Sequence, residues 1–418
     1  MRDPRKIRAS MMATATCAAI AMPLAAAADP SSQASPAVVA TGYATLHALL
    51  QTDGTAPYGE LVQAKSAAIY GTTFTGGAND AGTVFRWAGN KFSVLHAFTV
   101  ADGQAPAGGV TMGTDGNLYG VTGGGGQYGF GTAYKLTPTG AFTLLHSFGG
   151  PVDDGTYPYL GTLAQGADGN FYGTTLQGGA HGLGVVFRMT PAGIVTVLHA
   201  FAGGVSDGAS PRGQLIAGSD GLLHGTTLCG GVADASNGNG CGGTLYNLST
   251  SGVFTIIHRF EPADAPQAPL LEVGGTLYGT TSAGGAAKAG TVFRTSFDGQ
   301  AFTTLHEFAP SAYGKPRTAD GAAPIGRLMH ASDGNVYGTT SKGGIHASTD
   351  PNGDGTIFRV TPLGVYSVVQ SFGATVTDGA RPYGGLIQGQ DGNLYGTTHN
   401  GATQSNGAVY KLALPARQ

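Results

Sequence analysis

The sequence predicts an all-β fold, a seven-bladed β-propeller built from four-stranded antiparallel blades. Three observations carry this: a tetrapeptide that recurs at a near-constant interval, four apolar segments per interval, and chain ends that hold complementary parts of one repeat. Tyr-Gly-Thr-Thr, or a one-residue variant of it, begins at Tyr70, Tyr119, Tyr172, His224, Tyr278, Tyr337 and Tyr395. The intervals are 49, 53, 52, 54, 59 and 58 residues. A period near 50 is the signature of a repeat architecture.

Each repeat divides into four strands. In the third full unit they are expected at Pro158 to Leu163, Asn170 to Thr175, Val185 to Met189 and Val195 to Phe201. Each segment is rich in β-branched, aromatic and aliphatic residues and is bounded by turn residues. Gly and Pro recur too often for a long helix. The first and second strands join through Asp-Gly-Asn, as at Asp115, Asp168, Asp333 and Asp391, a hairpin signal. The third and fourth join through Thr-Pro-x-Gly, as at Thr137, Thr190 and Thr361. A loop bearing Gly-Gly joins the second to the third, and a longer Asp-Gly-x-x-Pro link leads to the next unit.

Ring closure follows from the ends. The unit starting at Pro382 has only three strands, and Tyr43 to Leu49 matches the missing fourth. The N-terminal strand is therefore expected to complete the last blade, removing the open edges of a linear stack. The domain reading is a signal peptide over 1–28, a short linker over 29–42, one propeller over 43–414 and a tail over 415–418.

Composition agrees. The chain has 418 residues, 73 of them glycine, with 11% charged and 41% hydrophobic residues, which argues against disorder. The glycines sit at fixed offsets within the repeat, where turns need them. Arg2, Arg5, Lys6 and Arg8 precede an apolar stretch from about Met11 to Leu24 and a small-residue site at Ala26-Ala27-Ala28, the pattern of an export signal. Removing it takes the net charge from −3 to −6, which gives no support for nucleic-acid or anionic-membrane binding. No second apolar stretch is long enough to cross a bilayer. The expectation is a secreted or periplasmic monomer. Its two remaining cysteines, Cys229 and Cys241, are expected to form a disulfide in the oxidising compartment.

Two motifs carry a family resemblance: Asp-Gly-Asn-Leu-Tyr-Gly-Thr-Thr, as at Asp391 to Thr398, and Gly-Thr-Val-Phe-Arg followed by Leu-His-x-Phe, as at Gly82 to Arg86 and Leu95 to Phe98. Together they resemble the Gloeobacter/Verrucomicrobia-type (GloVer) tandem repeat of exported bacterial proteins. The Gly-Gly after the second strand is also similar to kelch repeats. Nearly the whole mature chain is covered, although its ending, Leu-Pro-Ala-Arg-Gln, lacks the sorting tail of anchored members. The resemblance implies export and a propeller, and it implies no known activity or catalytic residue.

Residues that recur in every unit are read as structural. His47, His96, His146, His199, His258 and His306 share one outer-strand position, with Gln370 at the seventh. Equivalent positions lie far apart around a ring, so each is expected to bond a local group rather than join a metal cluster. The same holds for Asp53, Asp102, Asp154, Asp207, Asp264, Asp320 and Asp378, which open the inter-blade links.

Function is sought where the repeat breaks. Insertions fall in the Gly-Gly loops and inter-blade links, which leave an up-down blade on one face, so that face is the candidate functional face. Three elaborations lie there: Leu228 to Gly243 with the cysteine pair, Ala309 to Ala323 with Tyr313, Lys315 and Arg317, and Ser341 to Gly355. In the last, Asp350, Asn352 and Asp354 have the spacing of a Ca²⁺ loop, although its twelfth position is Thr361 rather than glutamate. The only cofactor considered is this Ca²⁺; otherwise none is expected. Where the innermost strands line the channel, Tyr58, Glu60, Tyr159, Arg212, Gln214, Arg327 and Tyr383 break the pattern, a set able to grip a sugar acid at the channel mouth.

No His-Glu-x-x-His or phosphate-loop motif occurs, and no Gly-x-Ser-x-Gly elbow: the one match, Gly204 to Gly208, falls in an inter-blade link rather than between a strand and a helix. The leading expectation is a non-catalytic module that binds a glycan or protein partner through its elaborated face. A polysaccharide lyase with its site at the channel mouth is the alternative. It is favoured over a hydrolase because carboxylates outside the repeated positions are few. A structural surface role is the third reading.

Overall fold

Seven four-stranded antiparallel sheets, all built on the same strand order, form the blades of a propeller. The structure is a computed structural model that describes residues 42–150, 153–158, 161–232, 241–309, 319–346, 353–375 and 377–414. The expected signal peptide and tail, and Tyr159, Tyr313, Lys315, Arg317, Asp350 and Asn352, lie outside the described residues. The first blade runs outward through Val62–Gln63, Ile69–Thr73, Thr83–Ala88 and Lys91–Ala97. In the last blade Tyr43–Ala48 pairs antiparallel with Ala408–Leu412 as the outermost strand, so the N-terminal strand closes the ring.

The core is divided among the blades. Seven apolar clusters are present among the described residues, each drawn mainly from two neighbouring blades. Strand alternation produces this: Val84 packs toward the second blade, while the next residue, Phe85, packs toward the last. A strand covered on both faces reads as a short apolar run, as at Val185 to Phe187 and Ala408 to Tyr410, before the half-buried Arg188 or Lys411.

One strand position is corrected. In the third unit the innermost ladder is only Ala164–Gln165, after the expected Pro158 to Leu163. The preceding stretch in each unit turns its backbone toward neighbouring blades instead. Thr72 Oγ1 donates to the Gly108 carbonyl at 2.8 Å, and Thr339 Oγ1 donates to the Gly384 carbonyl at 3.1 Å. The Gly109 amide donates to Thr162 Oγ1 at 2.9 Å. The first threonine of the tetrapeptide thus joins blades at Thr72 and Thr339, whereas Thr226 and Thr397 Oγ1 have no partner. The second stays within its own blade, as where Thr73 Oγ1 lies 2.9 Å from Thr83 Oγ1.

The repeated histidines and aspartates are each other's partners. His47 Nε2 donates to Asp53 Oδ2 at 2.8 Å and His96 Nε2 to Asp102 Oδ2 at 3.1 Å. His146, His199 and His306 bond Asp154, Asp207 and Asp320 in the same way. Except for His146, these imidazoles also stack on an aromatic ring of the next blade. His96 lies 4.1 Å from Phe142, His199 4.3 Å from Phe254, and His306 3.6 Å from Tyr366, centroid to centroid. Each such histidine therefore joins its own strand, its link and the neighbouring blade. A β-bulge precedes it: pairing passes from Phe85↔Val94 to Val84↔His96, leaving Leu95 out of the ladder. The bulged carbonyl faces the next blade's turn. A Cβ on Gly193, at φ +89°, would lie 2.5 Å from the Leu145 oxygen, so only glycine fits there.

Tyrosine and the hairpin aspartate form a second internal pair. Tyr119, Tyr172, Tyr337 and Tyr395 donate their hydroxyls to Asp115, Asp168, Asp333 and Asp391 at 2.7 to 2.9 Å. In the fourth blade His224 replaces the tyrosine, and its Nε2 makes the same bond to Asp220 at 3.0 Å. Burial opposes ionisation of the four aspartates, but the asparagine of the turn and the tyrosine hydroxyl outweigh it and hold them below the usual carboxylate range.

The links and Gly-Gly loops lie side by side. Gly208–Ala209 pairs with Cys229–Gly230, Gly321–Ala322 with Lys342–Gly343, and Gly379–Ala380 with Asn400–Gly401. Single bridges Thr55↔Thr75, Gln104↔Gly124 and Thr156↔Gln177 do the same elsewhere. Both sets of connections thus share one face, and the tight hairpins share the other. Cys229 and Cys241 are joined by a disulfide on the loop-bearing face.

Two outcomes follow. The buried hydroxyls of Tyr134 and Tyr246 have no hydrogen-bond partner and occupy the position held by Phe85, Phe187, Phe293 and Phe358 in other blades. Tyr134→Phe and Tyr246→Phe should each raise stability by about 1 kcal/mol, measured by denaturant melts, because an unsatisfied buried hydroxyl is costly. The depressed aspartates also set a pH dependence. Their folded-state values lie below their unfolded ones, so their contribution is present above the ordinary carboxylate range and is lost as pH falls through the folded values. The aspartates should add nothing to the pH dependence of the melting temperature above about pH 5 and lower it below about pH 4, an acid limb that Tyr172→Phe should weaken. It is separate from the loss, beginning near pH 6.5, as His96, His258 and His399 become charged.

Candidate functional site

Each innermost segment enters from the link and runs toward the hairpin, carrying the pattern Pro-x-Gly-x-Leu or a variant. Its middle glycine packs on the neighbouring blade's backbone. A Cβ on Gly59 would lie 2.5 Å from the Gly109 nitrogen, and one on Gly384 would lie 2.7 Å from the Gly59 oxygen. With the backbones so close, only the two x positions reach the axis, and they form two tiers. The tier nearer the loop-bearing face holds Tyr58, Ala107, Arg212, Gln267, Ile325 and Tyr383. The deeper tier holds Glu60, Gly109, Thr162, Gln214, Pro269, Arg327 and Gly385.

A cavity of about 310 Å³ opens between the tiers toward the loop-bearing face. A second, of about 340 Å³, opens toward the hairpin face past Val62, Met112 and Gln165. Glu60, Thr162 and Arg327 line both and form the waist. Of the residues expected at the site, Tyr58, Glu60, Arg212, Arg327 and Tyr383 share the first cavity, and Gln214 lines the second. Tyr159 falls outside the described residues.

The first and last blades contribute an aromatic group. The Tyr58 and Tyr383 rings stack at 4.8 Å with 11° between their planes. His399 meets both edge-on, at 4.6 and 4.8 Å, and Phe74 lies behind Tyr58 at 5.3 Å. Burial, together with the charge of Arg381, lowers the His399 pKa against the hydrogen bond that His399 Nδ1 donates to Asn400 Oδ1. Sequence reasoning missed His399 and Gln267. The signal was present: the position after the tetrapeptide is Phe74, Gly123, Leu176, Leu228, Ser282, Ser341 and His399, so it varies from blade to blade. It backs the upper tier, as Ser282 does by accepting a 2.6 Å hydrogen bond from Gln267 Nε2.

The other wall is polar. Arg212 Nη1 donates to Gln267 Oε1 at 3.4 Å, while its buried Nε has no partner. At the waist, Arg327 Nη1 lies 3.8 Å from Glu60 Oε2. The two belong to the sixth and first blades, and the blade between them places Gly385 at this tier, where no side chain intervenes. Glu60 Oε1 and Arg327 Nε are buried without partners, and so is Oε1 of Gln214, whose side chain is 8% exposed. Burial raises the Glu60 pKa, and Arg327 only partly offsets this. Two arginines against one glutamate leave the cavity lining positive.

The proposed Ca²⁺ loop is not placed, because Asp350 and Asn352 lie outside the described residues; Asp354 is fully buried. Among the described residues no three His, Cys, Asp or Glu side chains group as metal ligands. No described helix is long and apolar enough to cross a membrane.

Solved structures similar in fold include virginiamycin B lyase from Staphylococcus aureus, with a TM-score of 0.56 at 15% identity, covering 89% of this chain and 98% of that one. An oligogalacturonate lyase in complex with manganese gives 0.54 at 12% identity, covering 90% and 95%. The oligogalacturonate lyase of Vibrio parahaemolyticus gives 0.51 at 11% identity, covering 90% and 96%. At these identities the likeness is one of fold alone. No curated protein matches the chain. The family model of the Gloeobacter/Verrucomicrobia repeat matches residues 35–238 and 231–418. Repeat motif, blade architecture and sequence match agree, and the chain belongs to the Gloeobacter/Verrucomicrobia repeat family.

Proposed function

We propose that this protein is an exported, non-catalytic propeller that binds an acidic glycan at the channel mouth of its loop-bearing face. The observation that carries this reading is the pairing, in one cavity, of a stacked tyrosine wall with a wall bearing Arg212 and Arg327. Aromatic rings suit the C–H face of a sugar ring, and a guanidinium with unpartnered N–H groups suits a carboxylate. The cavity volume is at the small end of ligand pockets, which fits one or two sugar units rather than a protein surface. The loops around the mouth would then contact the rest of the chain.

A second reading, a polysaccharide lyase, has one observation in its favour. His399 is kept neutral beside two tyrosines, a set that can move protons next to a charge-neutralising arginine.

One experiment separates the two. The protein is titrated with acidic and neutral oligosaccharides by calorimetry, while ultraviolet absorbance follows any unsaturated product. Binding without product is expected, with acidic sugars preferred. Arg212→Ala should weaken acidic-sugar binding about tenfold or more at unchanged melting temperature, the scale of a lost charge-assisted hydrogen bond. Product formation that Tyr383→Phe or His399→Ala abolishes would establish the lyase. Equal affinity for neutral sugars would remove the acidic-glycan reading.

A further inference from the structure

We propose that the channel waist couples ligand binding to proton uptake: the anionic group of the glycan draws Arg327 away from Glu60, and Glu60 takes up a proton from solvent as it does so. This rests on the acidic-glycan reading of the mouth and adds how that site is regulated.

The waist pair is only half made. Glu60–Arg327 is the one ion pair between an arginine or lysine and an acid among the described residues, and at 3.8 Å it is loose. The side-chain contact runs through one Nη atom, beside a backbone hydrogen bond from Arg327, and leaves Arg327 Nε and Glu60 Oε1 buried and unpartnered. A ligand carboxylate can offer the guanidinium a two-toothed contact that Glu60 does not make. Two carboxylates would then face one guanidinium, and like charges at close range disfavour the ionisation of one of them. Glu60 is the group that yields, since its burial already favours the neutral form.

Among the described residues the other group near the mouth that can take up a proton is His399, behind Tyr58 and Tyr383, and Glu60→Gln tells the two apart because it leaves His399 in place. Glu60 is the only acid among the residues lining either cavity. Arg327 faces it from the sixth blade. Arg212 and Gln214 come from the fourth, and Arg212 is held by Gln267. The second, third, fifth and seventh blades supply Gly109, Thr162, Pro269 and Gly385 to this tier. The remaining titratable groups in the lining are the hydroxyls of Tyr58 and Tyr383. Gly385 matters here, because any larger residue would fill the gap through which Arg327 reaches Glu60. A Cβ at that position would lie 3.2 Å from Arg327 Cβ and 2.6 Å from its carbonyl oxygen.

Coupling is reciprocal, so a lower pH must tighten binding. With Glu60 neutral, the lining gains one net positive charge. Affinity should therefore rise as pH falls, by at most about tenfold per pH unit for one coupled proton. The rise is confined to the interval between the free and ligand-bound values of Glu60.

The test is calorimetry with tri-galacturonate between pH 5 and 7, in two buffers of unequal ionisation enthalpy at each pH. Wild type should bind several-fold tighter at pH 5 than at pH 7, with net proton uptake per ligand. Glu60→Gln should bind at pH 7 about as tightly as wild type at pH 5, without pH dependence or proton uptake. Glu60→Asp and a melting curve for each variant guard against misfolding, since the shorter acid keeps a titrating group at the waist and should keep the uptake. Wild-type binding without proton uptake, or an unchanged pH slope in a folded Glu60→Gln, would overturn the coupling and leave the acidic-glycan reading intact. No binding at any pH would overturn both. Equal binding of tri-glutamate would show that the site reads carboxylates on peptides and would remove the glycan.

Discussion

The backbone-to-backbone contact of the innermost segments around the axis is the constraint on which the other features rest. At Gly59, Gly108, Gly326 and Gly384 a side chain would collide with the next blade, so these segments close at a radius set by main chain, while the fifth blade admits Ala268 at the same position. Two consequences follow. The segments bond across to neighbours rather than along a full inner ladder, which shortens most of the inner strands to two residues. The axis is also open to only two side chains per blade, and the chemistry of the channel is limited to what those positions hold.

Most polar residues outside the channel have partners within the repeat. Histidine on the outer strand is held by the aspartate of its link and lies against an aromatic ring of the next blade. Tyrosine in the tetrapeptide is held by the hairpin aspartate. These bonds satisfy groups that would otherwise be costly at half-buried positions. They also explain why a ring of titratable side chains carries no site of its own. The departures are informative. His224 keeps the bond of the tyrosine it replaces, so the hydrogen bond rather than the ring is what the position requires. On the outer strand of the fourth blade no His258–Asp264 bond forms; burial lowers the His258 pKa and raises that of Asp264.

Blade number, strand order in the sheets and closure by the N-terminal strand were legible because they follow from spacing. The tetrapeptide copies and the incomplete final unit determine them without reference to three-dimensional contacts. The extent of the inner strand was not legible, since Pro158 to Leu163 has strand composition but gives its hydrogen bonds to other blades. Nor was the bulge at Leu95, because a skipped residue leaves an apolar pattern that still alternates acceptably. The channel residues Tyr58, Glu60, Arg212, Gln214, Arg327 and Tyr383 could be singled out as exceptions to a repeat. Their pairing could not, because the meeting of Glu60 with Arg327 depends on Gly385 standing in the blade between them. His399 escaped notice for a related reason: it follows a motif whose regularity drew attention to itself rather than to the residue after it.

Closure by Tyr43–Ala48 also fixes an orientation. This strand runs antiparallel to Ala408–Leu412, with Tyr43 opposite Leu412, and Ala48 leads on into a link of the loop-bearing face. The chain therefore enters at Tyr43 and leaves at Leu412 side by side on the hairpin face, away from the cavity mouth. A tether joined at either end would hold the plain side against its support and turn the mouth outward. The same two ends, pulled apart, would load the closing strand one rung at a time from its Tyr43 end.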